Sequence, residues 1–205
     1  MDSAVRAVRP KGWRAKVLTT AALIALLSAC GSATPDAGSP SVDPNASEVN
    51  PAGDIPDSQV FVAWSPPEGG WSVKVPEGWA RTDLTGGASF TDKLNSVTAI
   101  AMPADAAPTV PSVQDTEMAA VANDTANLDE VSVEQVSLPS GTAVLATYRA
   151  DAPPDPVTGK VVNDDVLRYS LFKDGTEVVV TLTGPHGADN VDPWKIVSES
   201  FAWTP

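Results

Sequence analysis

Trp71, Val73 and Val75 alternate with Ser72 and Lys74, and Pro76-Glu77-Gly78 ends the run with turn-forming residues. Side chains on a strand point to opposite faces in turn, so this spacing predicts a strand with one face buried. Runs rich in β-branched and aromatic residues predict further strands at 59–64, 88–91, 96–102, 131–138 and 142–150. Two more runs, 166–173 and 176–183, flank Asp174-Gly175, a dipeptide suited to the type I′ turn of a tight hairpin. The helical period appears twice. Ser112 as N-cap, with Asp115 three residues on and Val113, Met118, Val121, Ala122 and Ala126 on one side, predicts a helix over 113–126. Asp192 as N-cap and Pro193 at the first turn predict a last helix to about Ser198, with Ile196, Val197 and Phe201 packing it onto the sheet. The order strands, helix, strands, helix implies one α+β domain over 59–205, an antiparallel sheet with helices packed on one side.

The pattern upstream is of another kind. Residues 1–16 carry five basic side chains and one acidic, and residues 17–27 are an uncharged apolar run. Eleven helical residues rise about 16 Å, against a hydrocarbon core of about 30 Å, so the run is too short to span a membrane. It has the form of a signal-peptide core, and residues 1–29 are expected to be a signal peptide. Leu27-Ser28-Ala29-Cys30-Gly31 then matches the bacterial lipobox, an aliphatic residue and two small ones before a cysteine. The thiol is the nucleophile that accepts a diacylglyceryl group, and the small residues let extended backbone enter signal peptidase II. Cys30 is thus expected to carry lipid, tethering the chain to the outer face of the cell membrane. Residues 30–58 have few large apolar residues, only Val42, Val49 and Ile55, and are expected to form a disordered linker.

Charge narrows the partners. The chain has thirteen basic and 26 acidic side chains, and losing the leader's five and one leaves a charge of −17. Such a surface repels phosphate polyanions, which excludes nucleic acid as a partner. With one cysteine no internal disulfide forms, and the core of about 145 residues must be stable by burial alone. A monomer is expected.

Trp71-Ser72-Val73-Lys74-Val75-Pro76-Glu77-Gly78-Trp79, Phe90-Thr91-Asp92-Lys93 and Ile196-Val197-Ser198-Glu199-Ser200-Phe201 together resemble actinobacterial lipoproteins of the LpqN kind, which are similar in fold to PsbP, the extrinsic photosystem subunit. The resemblance covers about residues 58–205. It implies an α/β sandwich without catalysis that serves as a binding or assembly factor at a membrane surface. Its motifs are structural, so no functional residue is carried over.

The residues offer little for chemistry. His186 is the sole histidine and sits in Gly184-Pro185-His186-Gly187, a loop composition, so it is expected to be solvated rather than a general base. One histidine and a lipid-bearing cysteine cannot make a zinc site, and the acids Asp151, Asp155, Asp164 and Asp165 lack the spacing of a calcium loop. Neither a metal nor a cofactor is expected. Trp71 alternates in phase with buried valines, whereas Trp79, just past a turn, and Trp203, near the end, are candidates for a recognition surface. The reading is a lipid-anchored binding module that contacts another envelope protein or an apolar ligand through a groove between sheet and helix. Two alternatives stand beside it, a carboxylate-dependent hydrolase of cell-wall carbohydrate and a lipid carrier.

Overall fold

The structure is a computed structural model and describes residues 51–205. The signal peptide, the lipobox residues Leu27, Ser28 and Ala29, and Cys30 lie outside the described residues, as does most of the expected linker.

Among the described residues, ten strands form two antiparallel sheets. The small one is β1 (Phe61–Trp64), β2 (Trp71–Pro76) and β10 (Ala202–Trp203), in the order β1-β2-β10. The large one contains β3 (Ala80–Leu84), β4 (Gly87–Asp92), β5 (Asn95–Pro103), β6 (Asp129–Leu138), β7 (Gly141–Asp151), β8 (Asn163–Lys173) and β9 (Thr176–Pro185). Its order is β3-β4-β5-β9-β8-β7-β6, so the one non-local pairing, β5 with β9, joins a three-strand meander to a four-strand meander. The β8–β9 hairpin turns at Asp174 (φ 49°) and Gly175 (φ 80°), both left-handed as a type I′ turn requires.

Alternation decides which residues meet between the layers. Trp71, Val73 and Val75 are 2%, 1% and 3% exposed, as their spacing predicts, and each such buried side chain contributes roughly 1.5–3 kcal/mol. They join Phe90, Val97, Val180, Leu182 and Phe201 in the main core. Trp71 stacks on Phe201 at 5.9 Å between ring centroids, and Trp64 meets Trp71 and Phe90 edge-on at 5.4 and 5.3 Å. These offset and edge-on arrangements suit the ring quadrupole.

The α+β class holds, with the helices divided between the faces. α3 (Val191–Ser200) packs beside the small sheet, where Val197 is fully buried and Ser200 Oγ accepts the Lys74 N–H at 2.8 Å. Its first residue differs from expectation. Asn190 rather than Asp192 is the N-cap, and the Trp194 N–H bonds Asn190 O at 2.9 Å. Ile196 was expected to face the sheet and is 43% exposed, because Trp194, Val197 and Ser198 already fill the buried stripe. The earlier helical segment runs through α1 (Val110–Ser112), a π turn (Val113–Glu117) and α2 (Met118–Asp124). Val113 and Met118 pack on Val144 and Ala146, which alternate with the core-facing Ala143 and Leu145, so this segment lies on the other face of the large sheet. Its cap is Thr109, three residues before the expected Ser112. Thr109 and Ser112 form a reciprocal capping box in which the Ser112 hydroxyl fills the N3 role normally taken by a glutamate. At the π turn, Glu117 reaches Arg168 of β8 at 3.1 Å.

The linker boundary also moves. Residues 51–58 fall within the expected disordered linker, yet Ile55 is 4% exposed and part of the main core. The backbone here is fastened by two buried asparagines. The Ile55 N–H donates to Asn190 Oδ1 at 2.8 Å, and Asn95 Nδ2 and Asn190 Nδ2 both donate to Gly53 O, at 2.9 and 3.0 Å. Asn190 Nδ2 also donates to Asn95 Oδ1 at 3.0 Å. Gly184 must be glycine at this crossing, since a Cβ there would lie 2.6 Å from Asn95 Oδ1 and 2.8 Å from Asn190 Nδ2.

Candidate functional site

α3 and the small sheet leave part of the large sheet uncovered. Along β6, β7 and β8 the side chains that face α3 are Val136, Leu138, Leu145 and Leu167, each half-buried. With Tyr169 and Trp194 they line a groove of about 420 Å³ between helix and sheet, within the usual 300–1,000 Å³ of small-molecule sites. Strand register fixes its direction. Leu145 stands opposite Tyr169, while Arg149 and Gly184 both stand opposite Asp165. Along the sheet wall one end is therefore apolar, at Leu138 and Leu145, and the other is charged at Asp165, while α3 brings Lys195 and Glu199 to the facing wall.

At the charged end a network of hydrogen bonds surrounds Asp165. His186 Nδ1 lies 2.9 Å from Asp165 Oδ2, and Arg149 donates from Nε to Asp165 Oδ1 at 2.9 Å and from Nη1 to Glu130 at 2.6 Å. The Gly187 N–H approaches Asp165 at 3.4 Å. Burial alone would raise the Asp165 carboxyl, but the bonds from His186, Arg149 and Gly187 outweigh it and hold the carboxyl below its ordinary value. His186 is thus half-exposed with a carboxylate partner, not merely solvated. Among the described residues no hydroxyl hydrogen-bonds to it.

The other acids serve local structure. Asp155 Oδ1 accepts from Val157 N, Thr158 N and Thr158 Oγ1, which hold its carboxyl low and fix the proline loop. Asp151 accepts from Asn127 and Asn163. Asp164 is different: it is 6% exposed, and its Oδ1 is buried with no hydrogen-bond partner among the described residues. Desolvation, with lesser repulsion from Asp165 and Asp151, pushes its carboxyl up to about 6. Alternation turns Asp164 away from the groove that Asp165 lines, so it is no acid for a groove ligand.

Because the folded chain holds this proton more tightly than the unfolded chain, the group's stabilising contribution is complete below about pH 4 and is lost as pH rises through about 6. Asp164→Asn should therefore match the parent near pH 4 and exceed it by about 1–2 kcal/mol near pH 8, less than the full shift because the sheet end is close to solvent. Urea unfolding at the two pH values measures this, and an equal difference at both would exclude the titration.

The two tryptophans singled out from sequence lie at other hollows. Trp79 borders a hollow of about 130 Å³ with Gly53, Gln59 and Asn95, and its ring meets Trp194 edge-on at 6.5 Å. Trp203 borders one of about 440 Å³ beside Glu68, Gly70, Lys173 and Thr176, with its edge on Phe201 at 5.0 Å. The groove's own aromatics, Tyr169 and Trp194, carried no separate signal. Each occupies an apolar position of its strand or helix, and nothing in the sequence distinguishes it from the apolar residues around it.

No family model matches the chain, and no curated protein matches it. Among solved structures it is similar to cyanobacterial PsbP (CyanoP) of Synechocystis sp. PCC 6803, at 16% identity over 74% of this chain and 98% of that one, with a TM-score of 0.53. Weaker likenesses are the Saccharomyces cerevisiae Ran-binding protein Mog1p and LpqN, involved in cell envelope biogenesis of Mycobacterium tuberculosis. Mog1p is 11% identical over 71% of this chain and 96% of its own, with a TM-score of 0.47. LpqN is 14% identical over 73% and 93%, with a TM-score of 0.40. At these identities the likeness is one of fold, and CyanoP carries it: the chain has a PsbP-like fold. Among the described residues no helix is long and apolar enough to cross a membrane.

Proposed function

We propose that the chain is a binding module of the bacterial envelope, tethered to the outer face of the cell membrane through lipid on Cys30, and that it takes an apolar partner in the groove between α3 and β6–β8 without catalysing a reaction. The observation that carries this reading is the groove itself. Its sheet wall is aliphatic and aromatic, with Asp165 at one end engaged by Arg149 and His186, while α3 contributes Lys195 and Glu199, 4.0 Å apart, to the facing wall. Burying apolar surface here would stabilise a complex by roughly 25 cal/mol per Å² before the cost of association. The PsbP-like fold is in keeping with such a role but does not by itself assign one.

Ala188, half-buried on the groove wall, allows a direct test. The neutral dye N-phenylnaphthylamine should brighten on binding the parent chain, and Ala188→Trp, which fills the groove from its rim, should reduce that signal at least about fivefold with the thermal midpoint preserved. Undiminished dye binding in a well-folded variant would remove the groove as the site.

A further inference from the structure

The outer wall of the groove is also the edge of a sheet. β6 is the last of the seven strands and hydrogen-bonds only to β7, so along its free side alternate residues present an N–H and a C=O to no strand. Val136 stands opposite the core residue Ala143, which places Glu134, Val136 and Leu138 on the groove face. The regular ladder runs over Ser132–Leu138 and is broken by a register shift between Asp129 and Ser132. A single strand of β6 thus combines an open backbone edge with half-buried apolar side chains that lead into the groove.

The charge of β6 indicates what would meet that edge. Its sequence is Asp-Glu-Val-Ser-Val-Glu-Gln-Val-Ser-Leu, with three acids and no base. Glu130 is paired with Arg149, while Asp129 and Glu134 have no ion pair among the described residues. A second copy joining β6 to β6 would set one acidic strand against another, which is unfavourable. A lipid would fill the apolar wall but leave the backbone edge unused. Resting on the groove as the binding site, we infer that its occupant is an extended segment of a partner protein. The segment adds to β6 as an eighth strand, inserts apolar side chains from alternate positions against Val136 and Leu138, and on the same face carries lysine or arginine opposite Glu134. Backbone bonds would supply affinity, and the acidic edge would select a basic strand over a copy of itself.

The test uses the full chain in detergent solution and a fluorescein-labelled peptide of about ten residues whose groove-facing alternate positions are valine, with one lysine among them to stand opposite Glu134, and whose intervening positions are threonine. Two further versions carry N-methyl groups on alternate residues, each blocking one edge of the peptide. Strand addition engages one edge, so one methylated peptide should bind like the parent and the other at least about tenfold more weakly by anisotropy. Glu134→Lys should weaken the lysine peptide by a similar factor and favour its glutamate counterpart. Equal affinity of all three peptides overturns the inference. If no peptide binds while N-phenylnaphthylamine still enters the groove, the strand partner is wrong and the groove reading stands; if neither binds, both fall. A stable dimer by light scattering, without peptide, would give the edge to a second copy and overturn the inference.

Discussion

Replacing Asn190 with alanine lowers the stability of the domain by about 3 kcal/mol, because one side chain satisfies three buried polar groups at once. Its amide accepts from the Ile55 N–H and donates to Gly53 O and Asn95 Oδ1, in a site where Asn190 is 4% and Asn95 5% exposed. Truncation leaves the Ile55 N–H with nothing to donate to, removes a donor from Asn95, and opens a small void beside Gly184. The loss should be local before it is global. Amide exchange at Ile55 should accelerate more than exchange along β9, since residues 51–55 would detach first. A double-mutant cycle with Asn95→Ala checks the assignment: the two losses should fall well short of adding, as both remove the same bond. A loss below about 0.5 kcal/mol, with Ile55 exchange unchanged, would show that this segment is held by Ile55 burial alone.

The second large effect is all-or-none and concerns Cys30. Cys30→Ser, in a bacterial host that processes lipoproteins, should abolish incorporation of labelled fatty acid and leave the chain at the mass of its precursor. An hydroxyl does not replace the thiolate as acceptor of the diacylglyceryl group, and the peptidase acts after lipidation. Two or more acyl chains, at about 0.8 kcal/mol for each buried CH₂, turn a weak membrane contact into a lasting one. The variant should therefore lack the lipid tether. Lipid labelling that persists in Cys30→Ser would end the proposal of a lipid-anchored module.

Much of the fold was legible in the sequence because burial on one face leaves a two-residue signature. Trp71, Val73 and Val75 show it, and so does the Asp174-Gly175 hairpin, whose turn needs two left-handed residues. β3 was not foreseen for the complementary reason. All five of its residues, Ala80–Leu84, are exposed, so it has no inward face to print a pattern. The cap at Thr109 was hidden because a threonine–serine box lacks the usual acidic partner at N3. Residues 51–58 look like linker because their order depends on Asn95 and Asn190, 42 and 135 or more positions away, and composition does not register such bonds. A groove between sheet and helix was expected, but the residues that wall it were not legible, on similar grounds. Apolar alternation tells which way Leu145 and Leu167 point, but not whether anything covers them; that depends on how far α3 and the three-strand sheet extend over the seven-strand one.

The edge-on contact between Trp79 and Trp194 has a practical consequence. Trp194 is the tryptophan on the groove wall, so an occupant that reaches α3 rests against an indole in contact with a second one nearer the surface. Filling the space displaces water from one ring and alters energy transfer to its neighbour. The protein thereby carries a built-in optical gauge of occupancy, readable in its ultraviolet emission without a dye or a label.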